Sequence, residues 1–135
     1  MKILIIEDDA VVAIMQKMWI AKTFNYKAEL FSNGLEAVNF LDKELIDKPD
    51  ETYLILLDLN MPVMNGWEFL EALEQRDYSA KVSVIVVTSS KFREDYEKAK
   101  ESPLVIDFLN KPIGPNSLKK FIKEGELQFS HKKME

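Results

Sequence analysis

The chain contains no cysteine, which excludes disulfides, zinc–thiolate sites and thiol catalysis. Histidine is nearly as scarce. His131 is the single one, and it lies in the polar tail "SHKKME", so acid–base or phosphohistidine chemistry would have to borrow an imidazole from elsewhere. The four glycines, Gly34, Gly66, Gly114 and Gly125, are isolated from one another. No glycine-rich loop is therefore available to cradle the phosphates of a nucleotide. No apolar run approaches the roughly 20 residues needed to cross a bilayer, and the opening "MKILIIEDD" meets acids too early for a secretory signal. Basic charge is in deficit, with 18 Lys and Arg against 23 Asp and Glu for a net charge of −5. That balance argues against nucleic-acid binding by bulk electrostatics. The expectation is a soluble, cytoplasmic protein with no membrane and no nucleic-acid partner.

What remains is an ordinary globular composition, 47% hydrophobic over 135 residues, enough for one domain with its own core. No repeat or Gly/Ser-rich linker divides it. Apolar runs alternate with helical patterns. "KILIIE" (2–7), "YLILLD" (53–58) and "VSVIVVT" (82–88) are short, β-branched and nearly continuous, as expected of parallel strands covered by helices on both faces. "KAELF" (27–31) and "VIDFL" (105–109) suit sheet edges. Helices are predicted over 10–24, with Val12, Met15 and Trp19 inward, and over 34–46, with Leu35, Val38, Leu41 and Leu45 inward behind Asn33 and Glu36. Three more are predicted over 66–76, capped by Asn65, over the charged 91–101, and over 115–127, entered by Pro115. Five strands alternating with five helices predict a doubly wound α/β sandwich. Its commonest form at this length is the flavodoxin-like order 2-1-3-4-5, whose crevice lies beyond the carboxyl ends of strands 1 and 3.

Those ends carry an unusual set. Strand 1 runs into Glu7, Asp8 and Asp9, strand 3 into Asp58 and strand 4 into Thr88, and Lys111 follows strand 5 closely. Taken singly, such residues are turn formers, caps or surface groups. Together they converge on one sheet edge. Clustered carboxylates are unstable unless protonated or bound to a cation, and an open, all-oxygen site suits Mg²⁺ or Mn²⁺. A hydroxyl and an ammonium could then serve phosphoryl oxygens, and a carboxylate can act as a nucleophile to give an aspartyl phosphate. With no nucleotide loop in the chain, the phosphoryl donor is expected to come from outside.

"ILIIEDD", "LILLDLNMPVMNGWEFL", "VIVVTSS" and "DFLNKP" resemble, in order and across residues 2–125, the receiver domain of two-component response regulators. The resemblance implies a receiver domain over 1–128, a short polar tail over 129–135, and a stand-alone type. It implies Asp58 as phosphoacceptor. Asp8 would bind the metal directly, Glu7 through water, and Asn60 through its backbone carbonyl, with Asp58 completing the set. Thr88 and Lys111 would bind the phosphoryl oxygens, Lys111–Pro112 would be a cis peptide, and Thr88 and Phe108 would form the switch. Ser90, with Asn60, stands at a position that tunes aspartyl-phosphate lifetime in the family. The implied partner upstream is a sensor histidine kinase or histidine phosphotransfer protein, and the downstream protein is unnamed. Such a domain catalyses its own phosphorylation and dephosphorylation without being an enzyme in the ordinary sense. On phosphorylation, the surface built from the 91–101 helix, the 105–109 strand and the 115–127 helix would change its affinity for partners.

The chain departs from the family in "MNG" for the usual "MDG", in the longer "DKPDET", and in "KAKESPLV" where a Gly-Ala segment is frequent. Three other readings compete. A receiver fold acting by contact alone, without phosphorylation, is opposed by the complete set of Glu7, Asp8, Asp58, Thr88 and Lys111. A haloacid-dehalogenase-like phosphatase needs a second Asp where Asn60 stands. A flavin-binding protein needs a neutral loop after strand 1. Asp9 falls one residue too late for the pocket and is expected to cap the first helix.

Overall fold

Ile3, Leu4, Ile5 and Ile6 are fully shielded from solvent, so both faces of the first strand are covered, as its unbroken apolar run requires. A computed structural model of the chain describes residues 1–123 and 126–127. Strands β1 (Lys2–Ile6), β2 (Glu29–Phe31), β3 (Tyr53–Leu57), β4 (Val82–Thr88) and β5 (Val105–Asn110) form one sheet. Its order is β2-β1-β3-β4-β5 and every pairing is parallel. A bulge at Ile106 shifts the β4–β5 register, pairing Val84 with Val105 and Ile85 with Asp107.

Alternate residues of each strand feed two cores. Leu4, Ile6, Ile55, Leu57, Val84 and Val86 meet α2 (Gly34–Asp47), α3 (Gly66–Glu74) and Ala99 of α4 (Arg93–Lys100). Ile3, Ile5, Leu54, Leu56, Ile85 and Val87 meet α1 (Ala10–Phe24) and Leu118, Phe121 and Ile122. Among the described residues no helix is long and apolar enough to cross a membrane.

Caps fix where the helices begin. Asp9 accepts hydrogen bonds from the backbone N–H groups of Val11 (3.0 Å) and Val12 (3.2 Å). Asn33 accepts from Glu36 N–H, and Asn65 and Glu68 form a reciprocal capping box. Each satisfies amides that the first helical turn leaves without partners.

Three expectations need correction. The inward face of α1 is Ala13, Gln16, Ile20 and Phe24, not the Val12, Met15, Trp19 stripe. Met15 is exposed, and Trp19 is only partly buried against the core. Apolar residues surround this helix on all sides, so its period carried no phase. Leu35 of α2 is also exposed, whereas Val38, Leu41 and Leu45 are buried as expected. Last, the fifth helix over 115–127 does not form as a regular helix in the described residues. Pro115–Ser117 makes one 3-10 turn, Ile122 N–H reaches Leu118 carbonyl (3.0 Å), and Ile122–Lys123 (β6) then pairs antiparallel with Glu126–Leu127 (β7). Leu118, Phe121 and Ile122 still reach the core, because one turn of near-helical chain suffices to bring residues three and four apart together. Gly125 lies outside the described residues, as do residues 124 and 128–135 and hence His131 and the tail.

Candidate functional site

The order β2-β1-β3 places the switch point of the sheet between β1 and β3, and the chain ends that flank it are acidic. The ladder continues one residue past each strand. Glu7 N–H donates to Phe31 carbonyl (2.9 Å) and Asp58 N–H to Ile6 carbonyl (3.0 Å). Both backbones are thereby held, and both residues sit almost out of water, Glu7 at 5% and Asp58 at 6% exposure. Asp8 is exposed. One carboxylate oxygen from each of Glu7, Asp8 and Asp58 lies within 4.8 Å of the others.

Lys111, delivered by the end of β5, enters this cluster. Its Nζ lies 2.5 Å from Glu7 Oε1 and 3.6 Å from Asp58 Oδ1. The second Glu7 oxygen accepts from Asp9 N–H at 3.1 Å, so Asp9 serves both the cap and the anchoring of its neighbour. Burial pushes the Asp58 carboxyl up to about 7, the adjacent Glu7 charge adds to this, and Lys111 and the Asn60 N–H act against it. Burial opposes the Lys111 ammonium, but its bonds and charge interactions with Glu7 and Asp58 outweigh that and hold it above the ordinary lysine range. The pocket thus has more negative charge than its one ammonium can offset, and near neutral pH it holds a proton on Asp58 part of the time. A buried, converging, all-oxygen donor set with one open side at Asp8 fits Mg²⁺, which would replace that proton.

Thr88 ends β4 and is fully buried. Its carbonyl accepts from Lys111 N–H (2.8 Å), and its Oγ1 accepts from Ser90 N–H (3.1 Å). The Lys111–Pro112 bond is cis. Phe108 is partly buried and meets Tyr96 of α4 edge to face, with ring centres 5.6 Å apart. Asn60 is exposed, directly after the buried Leu59. Glu7, Asp8, Asp58 and Lys111 therefore share one pocket, Thr88 is tied to it through the Lys111 backbone, and Phe108 faces α4.

The loop between β3 and α3 carries two features that composition did not reveal. Val63 has φ 68° and is largely exposed, and Met64 N–H donates to Pro62 carbonyl (2.7 Å) across it. A β-branched residue at the centre of such a tight turn is strained, and "MPVMNG" gives no sign of it because the favoured residue for the position would be glycine. Gly66 is needed for a different reason. A Cβ there would stand 2.6 Å from the Asp58 carbonyl oxygen and 2.8 Å from Leu59 Cα, both backbone atoms. Gly66→Ala is expected to cost about 1–3 kcal/mol by overpacking, read as a lowered urea midpoint. An unchanged midpoint would show that this close approach is not constrained.

The fold and pocket define a flavodoxin-like protein with an acidic cluster at the switch point of its sheet. The family model of the response regulator receiver domain matches residues 3–123, and the chain belongs to that family. Among curated proteins it is 33% identical over 122 residues to a probable transcriptional regulator, ycf29, of Porphyra purpurea, covering 90% of this chain and 54% of that protein. It is 30% identical over 95 residues to the response regulator Rcp1 of Synechocystis, covering 69% of this chain and 65% of that one. The chain thus spans about half the length of the ycf29 relative. Among solved structures, a two-component response regulator from Cytophaga hutchinsonii superposes with TM-score 0.78 at 30% identity, over 88% of this chain and 91% of that one. The protein is a receiver domain of two-component signalling, a class that works in phosphorelay signal transduction and binds Mg²⁺ at an acidic pocket.

Proposed function

We propose that this domain takes a phosphoryl group onto Asp58 from a phosphohistidine of a sensor histidine kinase or histidine phosphotransfer protein, and that the product changes which protein it binds. The observation that carries this reading is the Glu7, Asp8, Asp58 and Lys111 cluster, with the Asp58 carboxyl nearly buried at its centre.

Asp8, Asp58 and the Asn60 carbonyl would hold Mg²⁺, with Glu7 acting through water; when bound, the ion offsets negative charge on the phosphoryl oxygens. An Asp58 carboxylate oxygen attacks phosphorus, the P–N bond to the donor imidazole breaks, and its electron pair returns to the imidazole nitrogen. The ionised form of Asp58 is the nucleophile, so loss of its proton precedes the transfer. Lys111 keeps its charge at neutral pH and can turn from Glu7 toward a phosphoryl oxygen. Little covalent work is asked of the protein, and positioning and charge carry the step. As the phosphoryl group arrives Thr88 turns toward it, Phe108 moves inward, and the surface of α4, β5 and the chain after it changes partner affinity by population shift.

A surface for the donor lies beside the pocket. Val11, Ile14, Met15 and Met18 are exposed at positions i, i+3, i+4 and i+7 of α1, which forms one apolar face starting directly after the acids. Such a face suits a helical partner, and its flexible methionines can adapt to more than one.

Incubation with acetyl phosphate and Mg²⁺, followed by intact-mass measurement, tests the proposal. One added phosphoryl group is expected with Mg²⁺ present, and none when the incubation is run with the Mg²⁺ chelated from the start. An unchanged mass would count against it and favour a receiver fold that signals by contact alone; uptake that ignores the chelator would count against the metal's part in it.

A further inference from the structure

Asn110 ends β5, one residue before Lys111, and pairs in the sheet with Thr88. It is exposed, yet its side chain is engaged. The amide donates to the Ser90 carbonyl (2.5 Å) and more weakly to the Thr88 carbonyl (3.4 Å). Ser90 is held from the other side as well. Its hydroxyl donates to Asp95 in the first turn of α4 (2.5 Å) and accepts from Phe92 N–H (3.3 Å), while its N–H donates to Thr88 Oγ1. The segment after Thr88 has no regular structure until Arg93. The Asn110 amide and the Lys111 N–H therefore tie it to the end of β5, and the Ser90–Asp95 bond ties it to α4.

We propose that Asn110 and Asp95 are positioning residues for phosphoryl uptake: they clip the Thr88–Ser90 segment between the end of β5 and the start of α4, so that the Thr88 hydroxyl and the Lys111 ammonium meet the phosphoryl oxygens in one fixed arrangement. This rests on the reading of Asp58 as acceptor. Two groups on separate strands must reach the same small anion. Any freedom of the Thr88 segment relative to Lys111 must be lost on the way to the transition state, at an entropic cost. Asn110 shortens that freedom without contacting the acids itself, because its partners are main-chain carbonyls. The same clip links the site to α4. If the Thr88 hydroxyl turns away, Ser90 N–H loses its acceptor, and through Asp95 the first turn of α4 feels the change. Lys98 of α4 lies over the Trp67 ring of α3, 4.4 Å from its centre, so a shift of α4 should register in Trp67 fluorescence.

The test is the uptake rate from saturating acetyl phosphate at saturating Mg²⁺, followed by mass, in wild type, Asn110→Ala, Asp95→Ala and Thr88→Ala. Asn110 and Asp95 variants are also made in the Thr88→Ala background, and each protein's melting temperature and Mg²⁺ affinity are measured. Removing one such hydrogen bond should slow saturated uptake about 3- to 10-fold while Mg²⁺ affinity and melting temperature hold. It should have no further effect when Thr88 is already alanine. A rate within about twofold of wild type, or the same slowing in both backgrounds, overturns the proposal. So does slowing that appears only together with lost metal binding or lost stability. If wild type itself takes up no phosphoryl group, the Asp58 reading fails and the clip with it; uptake by wild type with unaffected variants overturns the clip alone.

Discussion

Asp8→Ala lowers Mg²⁺ affinity about a hundredfold, the upper end of what removing even a supporting group costs a metal site, while Asp9→Ala leaves it nearly unchanged. The two neighbours look equivalent in "EDD", but their surroundings differ. One Asp8 oxygen lies with those of Glu7 and Asp58 within 4.8 Å. Asp9 spends its carboxylate on Val11 and Val12 amides. Losing Asp8 removes the exposed carboxylate at the open side of the pocket. Losing Asp9 strips the α1 cap and costs about 0.5–2 kcal/mol of stability. Isothermal titration of both variants with MgCl₂, beside urea unfolding of each, separates the effects. Equal loss of Mg²⁺ binding in both would overturn the assignment.

Asp58→Asn stabilises the metal-free protein. The Asp58 carboxyl is pushed up to about 7 in the fold, chiefly by burial and then by Glu7, against an unfolded value near 3.9. An acid raised by folding gives stability that is present below the unfolded value and lost as pH rises through the folded one. The native state therefore loses ground between about pH 4 and 7, a loss that asparagine does not suffer. At pH 7.5 the variant is expected to be more stable by about 1–3 kcal/mol, several degrees in Tm for a domain of this size. At pH 4 the two should melt together. Saturating Mg²⁺ should raise wild-type Tm through binding to the native state and move the variant far less. A variant that melts below wild type at pH 7.5 without metal would show that the carboxyl is not strained.

The strands were legible because burial on both faces leaves an unbroken apolar run, which only a covered parallel sheet accommodates. "VSVIVVT" and β4 coincide residue for residue. The pocket was legible for a related reason: polar residues directly after such runs must lie at one sheet edge. The facing of α1 was not, since Val11, Ile14, Met15 and Met18 are as apolar as the residues it buries. Nor was the geometry after Ile113, where Leu118, Phe121 and Ile122 have helical spacing but reach the core from a 3-10 turn and the start of β6. Val63 and Asn110 were invisible for want of any local cue. A positive φ at a β-branched residue runs against its local preference, and a side-chain bond across 20 residues arises from tertiary packing, not from neighbours in sequence.

The central claim is that Asp58, among the three acids of this pocket, accepts the phosphoryl group. Its most direct test is to trap the acyl phosphate formed from acetyl phosphate with borohydride and locate the reduced residue by peptide mass spectrometry. Reduction is expected at Asp58 in the wild type and at no residue in Asp58→Asn. Reduction at Asp8 or Glu7, or labelling that survives in the variant, would contradict it.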